Sequence, residues 1–281
     1  MKQNIITIID EKYSEFSKNH KVLADYIKQN INIIAFLSIK ELSEKSKISM
    51  ATITRFTKEI GFDGYVSFQK YLSEMMKNNI TPMKEIKEII NEKEEKNILK
   101  NIIDSNANVL HNMYTENLNE NFKKAIDILG NTEGKIYITA SRSSYSVAYY
   151  LYFMLKGIRE DIYLLTNENS DISLKLMYLE EKDKLIAISY ARYSRFTYEM
   201  TKFFKEKKCR IISITDDINS PIALNSENVL LAKNSDISYS FVGAMTLANS
   251  IAVSLGRIDR EKVLERMKLQ DKIAIENGIY L

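Results

Sequence analysis

Residues 37–61 read LSIKELSEKSKISMATITRFTKEIG, and this stretch divides into two short amphipathic helices joined by a tight turn. Its apolar residues recur at spacings of three and four, which is typical of helices that bury one face. Ser38 is placed to cap the first helix and Ser49 the second, because a serine hydroxyl can accept a hydrogen bond from a free amide of the first turn. The inward-facing residues are Ile39, Leu42, Ile48, Ile53, Phe56 and Ile60. The stretch therefore predicts a helix-turn-helix motif.

The outer face of the second helix carries small hydroxyl residues followed by two basic residues. Threonine can contact base edges or phosphates in the major groove of DNA, and arginine can form two hydrogen bonds with guanine. The pattern favours a DNA-reading helix; a helical hairpin that only makes contacts within a dimer is the alternative. The candidate DNA-binding residues are Ser49, Ala51, Thr52, Thr54, Arg55, Lys58 and Tyr65. Tyr65 is at least as well suited to the core.

Three runs in this region resemble the amino-terminal domain of RpiR-family regulators, namely Ser38–Ser43, Ile48–Phe56 and Ile60–Tyr65. The resemblance extends over about residues 5–78 and implies a DNA-binding transcriptional regulator. The family often has a glycine in the turn where this chain has Lys47. Because a residue other than glycine is strained when its φ angle is positive, we expect modest strain at Lys47 if its φ angle is positive.

The second half of the chain alternates short β-rich apolar runs with stretches long enough for helices. Such alternation indicates βαβ units around a parallel sheet, in which ligands bind beyond the carboxyl ends of the strands. The predicted strands are Lys135–Ala140, Asp161–Leu165, Lys184–Ser189 and Arg210–Thr215. The segments that follow the first, third and fourth of these strands are therefore the places to look for a site.

Two of these strand ends carry hydroxyl side chains and arginines at the start of a helix. The first is Ser141–Ala148 and the second is Tyr190–Thr197. Hydroxyls, a guanidinium and the free amides of a helix N-terminus together make an anion site. A serine that merely caps the helix is the alternative at each junction. The third junction, Thr215–Ile222, has the composition of a turn that closes one side of the pocket.

These junctions resemble the sugar isomerase (SIS) domain at the carboxy terminus of RpiR-family proteins, over about residues 122–256. The resemblance implies a doubly wound domain that binds a phosphorylated sugar through hydroxyls of the first two loops. The candidate ligand-binding residues are Ser141, Arg142, Ser143, Ser144, Ser189, Arg192, Ser194 and Thr197. Ala140, Arg142 and Arg192 stand where the domain often has glycine, and Ala191 stands where serine is common. Since loss of glycine restricts close backbone approach, the two arginines are expected to supply charge instead.

The predicted fold class is thus α/β with an all-α N-terminal domain, a helix-turn-helix bundle followed by a doubly wound parallel-sheet SIS domain. The predicted domains are 1–80, which binds DNA, 81–121, a helical linker after Thr81-Pro82, and 122–281, which binds the phosphosugar. The charged stretch Met83–Lys100 is interpreted as a solvated helix or linker. Ser238–Leu255 is amphipathic and suits core packing better than dimerisation.

The functional hypothesis is a transcriptional regulator that senses a sugar phosphate, controls sugar or amino-sugar metabolism genes and binds its DNA operator as a homodimer or higher homo-oligomer. A sugar-phosphate isomerase is the rival; it needs a base, for which Asp216 and Asp217 are the candidates, although both fall in a turn where aspartate is common. A ligand-sensing subunit that binds a protein partner is the third possibility. We predict no enzymatic activity and name no catalytic residue.

Composition excludes other classes of function. One cysteine, Cys209, and two widely separated histidines do not supply the usual zinc ligands, so we predict neither a metal nor a cofactor. No apolar run approaches the roughly 18–20 residues of a membrane span, and the first ten residues do not resemble a secretory signal, so a cytoplasmic location is predicted. The net charge of +3 does not by itself argue for or against DNA binding.

Overall fold

The computed structural model describes residues 5–79, 97–168, 171–235 and 238–279. The chain divides into two compact units, Met1–Thr81 and Pro82–Leu281. Most of the predicted charged stretch Met83–Lys100 lies outside the described residues. Across the described residues, every helix is too short or too polar to span a membrane.

The first unit is helical, as predicted. Ser38 forms a capping box with Glu41, in which the Glu41 amide donates to Ser38 Oγ at 3.2 Å and the Ser38 amide donates to Glu41 Oε2 at 2.7 Å. Ser49 Oγ accepts from the Thr52 amide at 3.3 Å. Both predicted caps are therefore confirmed. The helices are α1 (Ile5–Lys12), α2 (Lys18–Gln29), α3 (Ile31–Ile34), α4 (Ile39–Ser46), α5 (Met50–Glu59) and α6 (Tyr65–Asn79), with a 3-10 turn at Tyr13–Glu15.

The packing of the helix-turn-helix follows the predicted apolar pattern. Leu42, Ile53 and Phe56 are fully buried, and Ile48 in the turn is 8% exposed. The backbone of Lys47 in the turn is left-handed, with a φ angle of 58°. The condition under which strain was expected at Lys47 is therefore met, and the left-handed backbone costs about 1 kcal/mol relative to glycine.

The second unit contains a five-stranded parallel sheet. The four predicted strands are confirmed to within a residue at each end. The strand β5 was not predicted, because it is short, begins with a polar asparagine and pairs only with β4 at the sheet edge. The strands are β1 (Ile136–Ala140), β2 (Ile162–Leu165), β3 (Lys184–Ile188), β4 (Arg210–Thr215) and β5 (Asn228–Leu231), in the spatial order β2-β1-β3-β4-β5.

Helices cover both faces of the sheet, which makes it doubly wound as predicted. Ile136 and Ile138 of β1 belong to the core on one face, which also contains residues of α8, α9 and α12, whereas Tyr137 packs on the other face with Phe204 of α11. Within the predicted segment Ser238–Leu255, α12 buries a row of small and aliphatic residues in the core. The helices of this unit are α7 (Ile98–Met113), α8 (Glu116–Gly130), α9 (Tyr145–Lys156), α10 (Ile172–Leu176), α11 (Arg195–Glu206), α12 (Val242–Ile258) and α13 (Arg260–Glu276).

The strand order fixes where a ligand crevice lies. The chain leaves β1 through α9 on one face and leaves β3 through α11 on the other. A crevice opens beyond the carboxyl ends of two adjacent strands whose connections diverge in this way. The ends of β1 and β3, at Ala140 and Ile188, are neighbours in the register. Serine-rich segments far apart in sequence therefore meet at one point.

Candidate nucleic-acid interface and anion pocket

Helix α5 presents most of the predicted DNA-binding residues on its outer side. Ser49, Ala51, Arg55 and Lys58 are exposed. Thr54 is half-buried, and its hydroxyl donates to the Met50 carbonyl oxygen at 3.0 Å. The surface therefore combines the guanidinium group of Arg55, the ammonium group of Lys58 and the N-terminal turn of a helix. A helix that reads the major groove needs this arrangement.

Thr52 is not on this outer side, contrary to the sequence interpretation. It is buried, and its Oγ1 lies 2.9 Å from Ser49 Oγ and accepts from Arg55 Nη2 at 3.4 Å. The helical period places Thr52 between the buried residues of α5, so it supports the cap and the arginine from inside.

Tyr65 also belongs to the core. It is 6% exposed, and its hydroxyl donates to the Leu37 carbonyl oxygen at 2.8 Å. This bond ties the start of α6 to the residue before the Ser38 cap. The expected phosphate contact from Tyr65 is contradicted by this burial, and the core alternative is correct.

A pocket of about 90 Å³ lies at the ends of β1 and β3. The two predicted serine-rich loops form most of its lining, as the strand order requires. Its lining residues are Ser141, Arg142, Ser143, Ser144, Ser189, Tyr190, Ala191, Arg192, Ser194 and Tyr239. The structure thus brings together seven of the eight predicted ligand-binding residues.

Thr197 is the predicted residue that lies outside the pocket lining. It is fully buried in the first turn of α11, where its amide donates to Ser194 Oγ at 3.4 Å. The third residue after a cap supplies its amide to the cap. The Thr197 side chain lies in the interior, where its Oγ1, like Ser141 Oγ, has no hydrogen-bond partner among the described residues. Ser194 therefore acts as both helix cap and pocket wall.

The hydroxyls of the pocket are not all satisfied by the protein. Ser141 is 8% exposed, and its Oγ has no hydrogen-bond partner among the described residues. Ser189 Oγ, by contrast, accepts from the Ser194 amide at 3.3 Å. A buried hydroxyl without a partner is costly, so Ser141 Oγ at the pocket wall is suited to an incoming polar group.

Two arginines of the lining have left-handed backbones. The φ angle is 56° at Arg142 and 67° at Arg192. Arg142 is exposed and Arg192 is half-buried, and within the described part of the chain neither guanidinium has a hydrogen bond or an ion pair. Left-handed backbone is the property for which glycine is usually selected, so the glycine-like geometry of both loops is retained although the residues are arginines.

Sequence reasoning named Asp216 only as a candidate base and missed its role as the anchor of the second loop. Asp216, directly after β4, accepts from the Ala191 amide through Oδ2 at 3.0 Å and from the Tyr193 hydroxyl through Oδ1 at 3.0 Å. Burial raises the pKa of Asp216, and these hydrogen bonds oppose that rise. The position of Asp216 at the same sheet edge as the two loops could have indicated this role from the sequence.

Tyr190 and Tyr239 also line the pocket. No local sequence motif predicted that Tyr239 would lie there.

The chain matches two family models. Residues 3–79 match the helix-turn-helix domain of the rpiR family, and residues 131–255 match the SIS domain. Among curated relatives, an uncharacterized HTH-type transcriptional regulator of Thermotoga maritima is 27% identical over 98% of this chain and 95% of its own length. A second HTH-type regulator, from Clostridium perfringens, is 24% identical over 85% of this chain and 81% of its own length.

Two solved structures share the fold. The NanR protein of Vibrio vulnificus, solved in complex with ManNAc-6P, covers 97% of this chain and 98% of its own with a TM-score of 0.62 and 18% identity. The sugar isomerase domain of an RpiR transcription factor from Sphaerobacter thermophilus covers 63% of this chain and 99% of its own, with a TM-score of 0.56 and 21% identity. The chain is therefore an RpiR-family transcriptional regulator with an N-terminal helix-turn-helix domain and a C-terminal SIS domain.

Proposed function

We propose that this regulator reads an operator with α5 and that a phosphorylated sugar, bound in the pocket at the ends of β1 and β3, modulates that reading. One observation carries the proposal: a pocket lined by hydroxyls, and by arginines without a partner in the described part of the chain, occurs together with an exposed, cationic helix. The proposed domains keep the predicted limits of 1–80 and 122–281. Controlled genes would serve sugar or amino-sugar metabolism.

The DNA contacts are assigned to the exposed residues of α5. Arg55 is suited to guanine, because its guanidinium can donate to O6 and N7 together. Lys58 is suited to a phosphate, which positions the helix without reading sequence. Ser49 and Ala51 stand at the helix start, the part of a reading helix that approaches base edges.

The ligand class follows from the chemistry of the pocket. Ser141, Ser143 and Ser194 supply hydroxyls, and the first turns of α9 and α11 supply amides at the positive ends of two helix dipoles. These groups suit a phosphate. The NanR protein of Vibrio vulnificus was solved with ManNAc-6P, and this fold relationship supports phosphorylated sugars or amino sugars as the class to test.

Regulation requires two arrangements of the protein that bind the ligand unequally. We assign these to a homodimer, because two reading helices must fit paired half-sites. Coupling of about 1–3 kcal/mol between ligand and DNA would be ordinary for such a regulator. Light scattering of the protein in solution tests the dimer directly.

The rival isomerase function is less well supported. Asp216, the carboxylate best placed to act as a base, uses both oxygens to hold the second loop. The Thermotoga maritima and Clostridium perfringens relatives are both named as HTH-type transcriptional regulators. A protein-binding sensor remains the alternative if the helical unit binds no DNA.

The test is a fluorescence-anisotropy titration of the full chain on DNA from upstream of its own operon, at two salt concentrations, with a panel of hexose, amino-sugar and pentose phosphates. We expect salt-sensitive binding that one sugar phosphate shifts. DNA binding that no sugar phosphate changes would overturn the sensing half of the proposal. Sugar-phosphate binding without DNA binding would favour the protein-partner alternative, and turnover of a sugar phosphate would favour the isomerase.

A further inference from the structure

Two neighbouring helices of the second unit lack charged residues, although 27% of the chain is charged. Helix α9 has no charged residue before Lys156, and α12 has none before Arg257. The two helices pack side by side on one face of the sheet, where the Tyr150 hydroxyl of α9 donates to Asn249 Oδ1 of α12 at 3.1 Å. Surface helices ordinarily carry charged residues on the side away from the core. The outer side of this helix pair is therefore unusual for a surface that faces only water.

Three aromatic rings lie along the outer side of α9. Tyr145, Tyr149 and Phe153 are each four residues apart, which places them on one side of the helix, and they are 40%, 50% and 59% exposed. The ring centroids of Tyr145 and Tyr149 are 5.9 Å apart. Because an aromatic side chain can bury about 150–250 Å², the three rings leave on the order of 300 Å² of largely apolar surface in water. A contiguous patch of this size on a soluble protein is often an interaction site.

The polar groups on the outer side of α12 are satisfied within the helix. Thr246 Oγ1 donates to the Val242 carbonyl oxygen and Ser250 Oγ donates to the Thr246 carbonyl oxygen, both at 2.8 Å. Val253, which is 45% exposed, lies one turn further along the same side. A hydroxyl that already donates to its own helix can be covered by another protein without leaving a donor unpaired. This side of α12 can therefore be buried together with the aromatic rings of α9.

The absence of charge indicates which partner fits this surface. Without lysine or arginine, it offers no attraction to the phosphates of DNA. A two-fold dimer places the same patch of each copy against itself, so a charged patch would repel its own copy. An uncharged apolar patch avoids this repulsion. A standard interface buries about 800 Å² per partner around an apolar centre, and the three rings supply such a centre.

We infer that the outer sides of α9 and α12 form the interface between two copies of this chain, with Tyr145, Tyr149 and Phe153 at its centre. This inference rests on the proposed function, because it assigns a surface to the homodimer proposed there. Helix α9 begins directly after Ser144 of the pocket lining. The ligand and the interface therefore share one helix, so a small shift of α9 on ligand binding changes the arrangement of the two copies.

Sedimentation and light scattering of the full chain over a range of concentrations test the inference. The wild type should be a dimer. Tyr149→Glu and Phe153→Glu should each raise the dissociation constant of the dimer by about thirtyfold or more, because each removes an aromatic anchor from the centre of the interface and introduces a charge there. Both residues are exposed in the single chain, so circular dichroism should show unchanged helix content.

Two matched variants separate loss of the interface from other effects. Tyr149→Phe keeps the ring and should leave the dissociation constant within about threefold of the wild type, since only a hydroxyl is lost. Leu174→Glu introduces the same charge at an apolar residue of α10 that is 63% exposed and lies outside the proposed interface. It should leave the dimer intact.

The outcomes distinguish this inference from the proposed function. A dimer that persists in both Tyr149→Glu and Phe153→Glu would overturn the inference and leave the proposed homodimer standing. Equal weakening by Leu174→Glu would contradict the assignment to this surface. A wild type that stays monomeric at every concentration would overturn both the inference and the homodimer, and would leave the surface to a partner of different sequence. The anisotropy titration would still decide independently whether the chain binds DNA and responds to a sugar phosphate.

Discussion

The turn at Lys47 and the pocket around Arg142 and Arg192 place basic residues on left-handed backbone, but the two regions are built differently. The φ angle is 58° at Lys47 and 56° at Arg142. The turn is framed by the caps Ser38 and Ser49 within a single stretch of 25 residues, 37–61. The pocket gathers loops from the ends of β1 and β3 and a residue from the segment before α12.

This difference determines how each region responds to change. The proposed reading helix α5 is supported by local bonds, since Ser49 Oγ lies 2.9 Å from Thr52 Oγ1 and Arg55 Nη2 donates to Thr52 Oγ1. A substitution on its exposed side should therefore alter DNA binding alone. The pocket depends on distant anchors, such as Asp216, so substitutions that do not touch the ligand should still alter its affinity.

The largest expected effect comes from removing a core aromatic residue from the first region. Phe56 is fully buried, and its ring centroid lies 5.1 Å from that of Phe16. Phe56→Ala should lower the free energy of unfolding by about 3–5 kcal/mol and abolish DNA binding. Urea denaturation and anisotropy measure the two effects.

Phe204→Ala is the matched substitution in the second region, because Phe204 is fully buried beside Tyr137 with ring centroids 5.2 Å apart. It should reduce sugar-phosphate binding more than it reduces DNA binding, and Phe56→Ala should do the opposite. If each variant lost both activities to the same degree, the contrast between the two regions would be wrong.

The next largest effect concerns the reading surface. Arg55 is exposed on α5, and Arg55→Ala should weaken operator binding by about 1–3 kcal/mol, because one bidentate base contact is lost. Sugar-phosphate affinity, measured by calorimetry, should remain unchanged. The double variant Ser143→Ala with Ser194→Ala should do the reverse, and equal loss of both activities in either variant would indicate unfolding instead.

The sequence predicted the first region well because its determinants are local. Caps and apolar spacing are properties of neighbouring residues, and both are confirmed. The errors at Thr52 and Tyr65 concern orientation: a threonine and a tyrosine suit either a surface or a core, and only the packing around them decides.

The second region was predicted less completely, because its site depends on topology. Buried parallel strands and serine-rich junctions were recognisable, and the strand order then brought two junctions together. The anchor role of Asp216 and the presence of Tyr239 in the lining require knowing which elements are neighbours. Thr197 was assigned to the pocket by resemblance, and the helical period turns its side chain inward.

A smaller, pH-dependent effect should mark the anchor Asp216. Burial raises the pKa of Asp216 above its ordinary value of 3.8. The folded state therefore holds this proton at pH values where the unfolded state has released it, and stability falls as pH rises from about 4 through the raised pKa. Asp216→Asn should flatten this decline and weaken sugar-phosphate binding, since the amide nitrogen cannot accept from Tyr193.

Urea unfolding from about pH 4 to about pH 8 measures the decline. Tyr193→Phe is the companion variant. Its hydroxyl lowers the pKa of Asp216, so its removal should extend the decline to higher pH. Superimposable profiles for the wild type and Asp216→Asn would contradict the assigned role.

The smallest expected effect separates strain from function. Lys47→Gly should raise the free energy of unfolding by about 0.5–1 kcal/mol, because glycine relieves the left-handed backbone. If Lys47 contacts a phosphate beside the reading helix, the same change should reduce the slope of log affinity for DNA against log salt concentration by about 0.9.

Lys208, in the turn after α11, has a φ angle of 60° and provides the control. Lys208→Gly should give a similar gain in stability with no change in DNA or sugar-phosphate binding, because it lies in neither region. An unchanged salt slope in Lys47→Gly would mean that the lysine, like Lys208, is tolerated in a turn without serving an anion site.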